Sequence, residues 1–211
     1  MYYEFIQRNK QRVVAIFLLL FAVIVIWSIS TTINRQGKIA VVVSAVPNDA
    51  QITFSGSNEG NGTRWIKPGD YTVIAKKDGF TTVTKKVRIT DQKSQNVIAL
   101  SLHAESDDAK NWANTHMAEY QKNEMYGTIE ANTNGEYFSQ LNPITTKLPF
   151  IDPYFKIAYE TNSNQSIRLT VSTPSPRYRF YALEKIRNLG YDPTDFTIVF
   201  KDFKNPLESK Q

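Results

Sequence analysis

Tyr71-Thr72-Val73-Ile74-Ala75-Lys76-Lys77-Asp78-Gly79-Phe80-Thr81-Thr82-Val83-Thr84-Lys85-Lys86-Val87-Arg88-Ile89-Thr90 is the stretch that decides the fold. Its halves, Tyr71–Lys77 and Thr81–Thr90, are rich in β-branched residues and flank Asp78-Gly79, a strong short-range hairpin signal. In the second half Val83, Val87 and Ile89 fall on one face, and Thr82, Thr84, Lys86 and Arg88 on the other. Successive side chains of a strand point to opposite faces, so this reads as a half-buried antiparallel strand with a wet, basic outer face.

On both sides of the hairpin the texture is the same. Ile39–Val46 is apolar and β-branched, and Pro47-Asn48-Asp49-Ala50 is a turn whose proline presets φ. Gln51-Ile52-Thr53-Phe54 alternates, and residues 55–62 are too rich in Gly, Ser and Asn for anything but a loop. Trp65-Ile66 precedes the turn Lys67-Pro68-Gly69-Asp70, and Asn96–Leu102 closes the set. The expectation is an all-β, sandwich-like module over residues 37–102.

Pro47-Asn48-Asp49-Ala50-Gln51-Ile52, Gly56, Gly62-Thr63, Ile66-Lys67-Pro68-Gly69-Asp70-Tyr71-Thr72-Val73 and Gly79-Phe80 together form a frame. The frame resembles the PEGA domain over about residues 38–102. It departs from that pattern at Asn48-Asp49, where the name-giving tetrapeptide has Glu-Gly, and at Arg64, where a proline is expected. The resemblance implies a β-sandwich of bacterial surface-layer and envelope proteins. Its motifs are structural and specify no ligand and no chemistry.

Towards the N-terminus, Val13–Ile33 carries no charged residue and is dominated by Val, Ile, Leu and Phe. At ~1.5 Å per residue it spans a hydrocarbon core of ~30 Å. It reads as one transmembrane helix with Val13, Phe17, Leu20, Ile24 and Trp27 facing lipid. Ser28-Ile29-Ser30 is a tolerable small-x-small cleavage site, so a signal peptide is the rival reading. The apolar run exceeds the usual ~7–15 residues of a signal core, which favours an uncleaved anchor. Arg8, Lys10 and Arg12 precede the helix, and Arg35 and Lys38 follow it. That bias keeps the tail, residues 1–12, in the cytoplasm and places the bulk of the chain outside.

Charge divides the remainder. Residues 34–102 hold ten Lys/Arg against five Asp/Glu, and residues 103–211 hold twelve against fourteen. The change of sign suggests a domain boundary near residue 103. Beyond it, Ser106-Asp107-Asp108 opens a helix to about Lys122, with a hydroxyl or carboxylate to cap free N–H groups. Residues 124–153 read as irregular, with Asn132, Asn134, Gly135 and three prolines. Strands follow at Tyr154–Thr161 and Ser166–Thr173. A helix then starts at Ser175-Pro176 and ends near Gly190, before a last strand, Phe196–Phe200. The order α–β–β–α–β predicts a small α+β domain, a three-stranded sheet with helices on one face. Tyr181, Ala182, Ile186 and Leu189 face one side of the second helix. Tyr178, Arg179, Phe180 and Tyr181 read as core, with an interface as the alternative, since the helix needs an apolar face.

The chain has no cysteine and two histidines, His103 and His116, outside any metal-ligand spacing. It carries no phosphate loop or nucleophile elbow. Glu105, Asp107 and Asp108 suit a helix N-terminus better than a cation site. Asn61-Gly62-Thr63 and Asn164-Gln165-Ser166 match glycosylation sequons. Lys76, Lys77, Lys85, Lys86 and Arg88 cluster on the hairpin, either as a solubilising face or as a contact for anionic polymer or headgroups.

The expectation is a non-enzymatic envelope protein without a cofactor. Its expected partners are the lipid bilayer and either a cell-wall polymer or another envelope protein, with no nucleic acid. A subunit of a secretion or pilus-like assembly is the nearest alternative, suggested by element order alone.

Overall fold

The computed structural model describes residues 10–162 and 165–201, with side chains from Val14 onward. Arg8 and most of the expected cytoplasmic tail, the Val13 side chain and Asn164 of the second sequon lie outside the described residues. The chain forms two compact units, residues 1–130 and 131–211.

The first unit begins with helix α1 (Lys10–Arg35). From Val14 to Trp27 its side chains are apolar on every face, so that stretch has no amphipathic stripe to bury against a core. After a short turn, seven strands follow: β1 (Ile39–Val46), β2 (Gln51–Phe54), β3 (Ser57–Glu59), β4 (Gly62–Ile66), β5 (Gly69–Lys76), β6 (Val83–Ile89) and β7 (Asn96–Ser101). They make two sheets, ordered β4-β1-β7 and β3-β2-β5-β6. The expected hairpin is β5–β6, antiparallel with Gly69 opposite Ile89 and Ala75 opposite Val83. Val41, Val43, Ile52, Phe54, Val73, Ala75, Ile89, Ile98 and Leu100 from both sheets form one buried cluster.

Residues 55–62 depart from the expected loop, because strand β3 lies within them. Ser55 (φ 46°) and Gly56 (φ 97°) both take positive φ and link β2 to β3, with Phe54 opposite Ser57. Two successive positive φ values are what a tight primed hairpin turn requires, and that need is invisible in a Ser/Gly/Asn-rich composition.

Helix α2 (Asp107–Thr115) starts where expected, and the Ser106 hydroxyl accepts the Ala109 N–H at 3.2 Å. Gly79 (φ +79°) comes so close to this cap that an added Cβ would lie 2.6 Å from the Ser106 oxygen. Helix α3 (Met117–Leu141) then runs through most of the segment expected to be irregular. Its buried positions are Asn123 and Glu130 in the first unit and Thr133 and Tyr137 in the second, at helical spacing. The stripe is polar, so a search for apolar periodicity passes over it. Asn132, Asn134 and Gly135, weak helix formers, are exposed on the outside, where each costs at most ~1 kcal/mol.

In the second unit a 3-10 turn (Pro143–Lys147) leads to β8 (Phe150–Ile151), β9 (Lys156–Thr161) and β10 (Ile167–Ser172). Helix α4 (Pro176–Asn188), a second 3-10 turn and β11 (Ile198–Phe200) follow. The sheet is four-stranded, ordered β11-β10-β9-β8, with β11 parallel to β10 and the other pairs antiparallel. The extra strand, β8, is two residues long, too short to leave a pattern of alternation. Ile144, Ile157, Leu169, Val171, Ala182 and Ile186 form the buried core. The inward side of α4 is therefore Ala182 and Ile186, one turn apart. Phe180 and Tyr181, expected in the core, are 58% and 43% exposed.

Candidate functional site

Four features of the described residues bear on function. The first is α1. Val14–Arg35 has a mean hydropathy of 2.7 and is long and apolar enough to cross a membrane, by length and composition. Of the expected lipid-facing residues, Phe17, Leu20, Ile24 and Trp27 are 74%, 54%, 60% and 70% exposed. The helix ends at Arg35, where the Gln36 and Lys38 N–H groups close the turn on the Ile33 and Arg35 carbonyls. Gly37 (φ +69°) lets the chain swing into β1.

The second is the basic hairpin, whose five cations occupy different environments. Lys77 pairs with Asp49, and that hydrogen bond holds the Asp49 carboxyl below its usual range. Arg88 holds Asp70 with both ends of its fork, at 2.7 and 2.9 Å, and likewise depresses that carboxyl. Lys85 lies on the inward side with Val83 and Val87, and its ammonium reaches Glu130 at 2.6 Å. Lys76 and Lys86 are exposed, with no ion pair to an acidic residue among the described residues.

The third is a polar seam between α3 and β7, which the sequence did not single out. Strand β7 is the edge of its sheet, so alternate backbone groups lack a strand partner. Side chains of α3, with Lys85 of β6, bond this edge. Glu130 accepts the Ala99 N–H at 3.0 Å, and the Tyr120 hydroxyl donates to the Leu102 carbonyl at 3.0 Å. Asn123 Nδ2 donates to the Ser101 hydroxyl at 2.7 Å, and Lys85 donates to the Ala99 carbonyl at 3.3 Å. Gly127 faces this edge too, where an added Cβ would sit in ordinary van der Waals contact with Ala99 Cβ, at 3.9 Å. The only sequence trace of this seam is the spacing of Tyr120, Asn123, Gly127 and Glu130 on one helical face.

Turn chemistry shows how the first unit is pinned. Asn61 Oδ1 accepts the Ala45 N–H at 2.6 Å, and its Nδ2 donates to the Asn48 carbonyl at 2.6 Å and to Asn48 Oδ1 at 2.8 Å. Arg64 donates to the Gly60 and Asn61 carbonyls at 2.9 and 2.7 Å. Asn48, Asp49 and Arg64, the three departures noted above, thus all serve the turns. Residues 38–103 match the PEGA domain. The expected family resemblance is borne out over that segment, and the residues that deviate from its pattern hold its turns by side-chain hydrogen bonds. The PEGA domain ends at residue 103, whereas the compact unit continues to Glu130 through α2 and the start of α3. A comparison with curated proteins finds no match to the chain.

The fourth feature is an aromatic surface on the second unit. The Tyr154 and Tyr178 rings stack at 4.8 Å, Tyr178 and Tyr181 lie 6.4 Å apart, and Phe180 meets Tyr181 edge-on at 5.9 Å. Tyr154 is 55% exposed. His116, one of the two histidines, has its ring stacked on Trp112 at 4.1 Å. Its Nδ1 lies 2.8 Å from the Trp112 carbonyl, at the break between α2 and α3.

Proposed function

We propose that the chain is a membrane-anchored, non-enzymatic extracytoplasmic protein. In this reading α1 is an uncleaved anchor, the PEGA domain is a sandwich-like stalk or adhesion unit at the bilayer, and the α+β unit engages a protein partner. The observation that carries it is the join of α1 to β1. Only Gln36, Gly37 and Lys38 separate a helix fit to span a membrane from the first strand of the PEGA domain. Such a domain is usually extracellular, which agrees with the flanking charges of α1.

Partner binding rests on Tyr154, Tyr178, Phe180 and Tyr181. Aromatic residues are enriched at interfaces because they bury large area with few rotors. An envelope assembly is the form of partnership this surface suits, through contacts with other subunits. Crosslinking in intact cells tests it. The account expects defined adducts that disappear in Phe180→Ser/Tyr181→Ser while the protein remains in the membrane. A strict monomer, or adducts that ignore both changes, contradicts it. A cell-wall polymer contact, as a second reading, rests on Lys76 and Lys86, the two hairpin cations without an acidic partner among the described residues.

A further inference from the structure

We propose that one end of the PEGA domain is itself a membrane-docking surface, in which Trp65, Arg35, Lys38 and Lys67 engage anionic phospholipid headgroups. The proposal rests on the anchored reading of α1 and adds a second contact with the same bilayer. Arg35 ends α1, so it stands at headgroup level when the apolar residues before it fill the hydrocarbon core. Its guanidinium lies 4.7 Å from the centroid of the Trp65 ring. Trp65 is therefore held at the same depth as Arg35. Trp27, eight residues earlier on the helix, stands ~12 Å deeper along it.

The sheet brings the other cations to the same place. Ile39 pairs with Ile66 and Ala40 with Trp65, so Lys38 and Lys67 leave the first two strands of this sheet side by side. Trp65 is 40% exposed on β4, an edge strand. Asp70, three residues after Lys67 in the chain, is paired with Arg88. An indole at an interface, with one guanidinium on its ring and two lysines at the adjoining strand ends, is the chemistry that anionic headgroups recognise. Each Lys or Arg near such a surface contributes about a fivefold gain in partition.

The test uses the full chain in nanodiscs of phosphatidylcholine, with or without phosphatidylglycerol. Trp65 is read alone in the Trp27→Phe/Trp112→Phe protein. The difference between wild type and Trp65→Phe gives the same reading without altering Trp112. The expected result is a blue-shifted Trp65, shielded from aqueous acrylamide, in the anionic discs. High salt or Lys38→Glu/Lys67→Glu should reverse it by at least severalfold in quenching constant. Equal acrylamide access in both kinds of disc overturns the proposal, while the chain's retention in the discs leaves the anchor intact. Shielding that appears only with an added soluble anionic polymer also overturns it, and names a different partner. Loss of the chain from the discs overturns the anchored reading and this proposal together.

Discussion

The Lys85 ammonium and the Glu130 carboxylate meet at 2.6 Å, and the same Glu130 oxygen accepts the Ala99 N–H. One acid from α3 and one base from β6 thus cover the free edge of β7. Glu130 is 6% exposed at its side chain, so truncating it leaves the Ala99 N–H without an acceptor. Glu130→Ala is expected to cost about 1–3 kcal/mol of stability, mainly through that orphaned donor. Lys85 is 39% exposed, and its ammonium can rehydrate, so little more is lost there. Glu130→Gln keeps a carbonyl acceptor and should cost less. Chemical denaturation gives the ranking, and amide exchange at Ala99 should rise in the alanine variant. Unchanged exchange at Ala99 contradicts the edge-capping role.

The hairpin lysines separate by the same geometry. Lys85→Glu places a carboxylate beside Glu130 and should destabilise the first unit by roughly the cost of breaking a partly buried pair, about 1–3 kcal/mol. Lys76→Glu/Lys86→Glu alters only exposed positions and should stay within about ±0.5 kcal/mol per site. Thermal unfolding of the two variants distinguishes them. Any assay of polymer binding is therefore read cleanly only from Lys76 and Lys86.

Asn61 uses both ends of its amide, one to the β1 backbone and the other to Asn48. Asn61→Ala should lower stability by about 1–3 kcal/mol, and Asn61→Asp should do no better, because a carboxylate then faces the Asn48 oxygens. A glycan on Nδ2 would displace the same bonds. Expressed in a glycosylating secretory host, the protein should therefore carry no glycan at Asn61, as peptide mass mapping can check. A fully occupied, folded Asn61 contradicts the assigned role.

Acid sensitivity follows from depressed carboxyls. Arg88 lowers Asp70, and Lys201 and Arg168 lower Glu160. Folded values below the unfolded ones mean stability that is full above the unfolded pKa, roughly 4 for Asp and Glu, and lost as pH falls through the folded values. Unfolding midpoints should therefore hold level from neutrality to about pH 5 and decline below about pH 4. Asp70→Asn should flatten part of that decline. A decline of equal depth in Asp70→Asn removes Asp70 from the account.

The parts of this fold that were legible in the sequence are those where one local signal dominates. Asp78-Gly79 and the alternation of Val83, Val87 and Ile89 place the β5–β6 hairpin, and Ser106 places the start of α2. Helix α3 was not legible, because Asn123 and Glu130 become good inward residues only once Ser101 and Ala99 are there to bond them. Strand β8 exists by pairing Phe150 with Ile157, a tertiary fact with no local trace. Tyr181 was expected inside because it is aromatic and on a helix. Ala182 and Ile186, read on the same face, do enter the core, whereas the bulkier Tyr181 stays largely outside it.

The central claim, an anchored chain with its PEGA domain outside the cytoplasm, is most directly tested by exploiting the absence of cysteine. Ser57, exposed on β3, is replaced as Ser57→Cys, and intact cells are treated with a small maleimide that does not cross the cytoplasmic membrane. The account predicts full labelling without permeabilisation, on protein recovered from the membrane fraction with Val14–Arg35 intact by mass. Labelling only after permeabilisation, or a labelled soluble product beginning at Thr31, contradicts it.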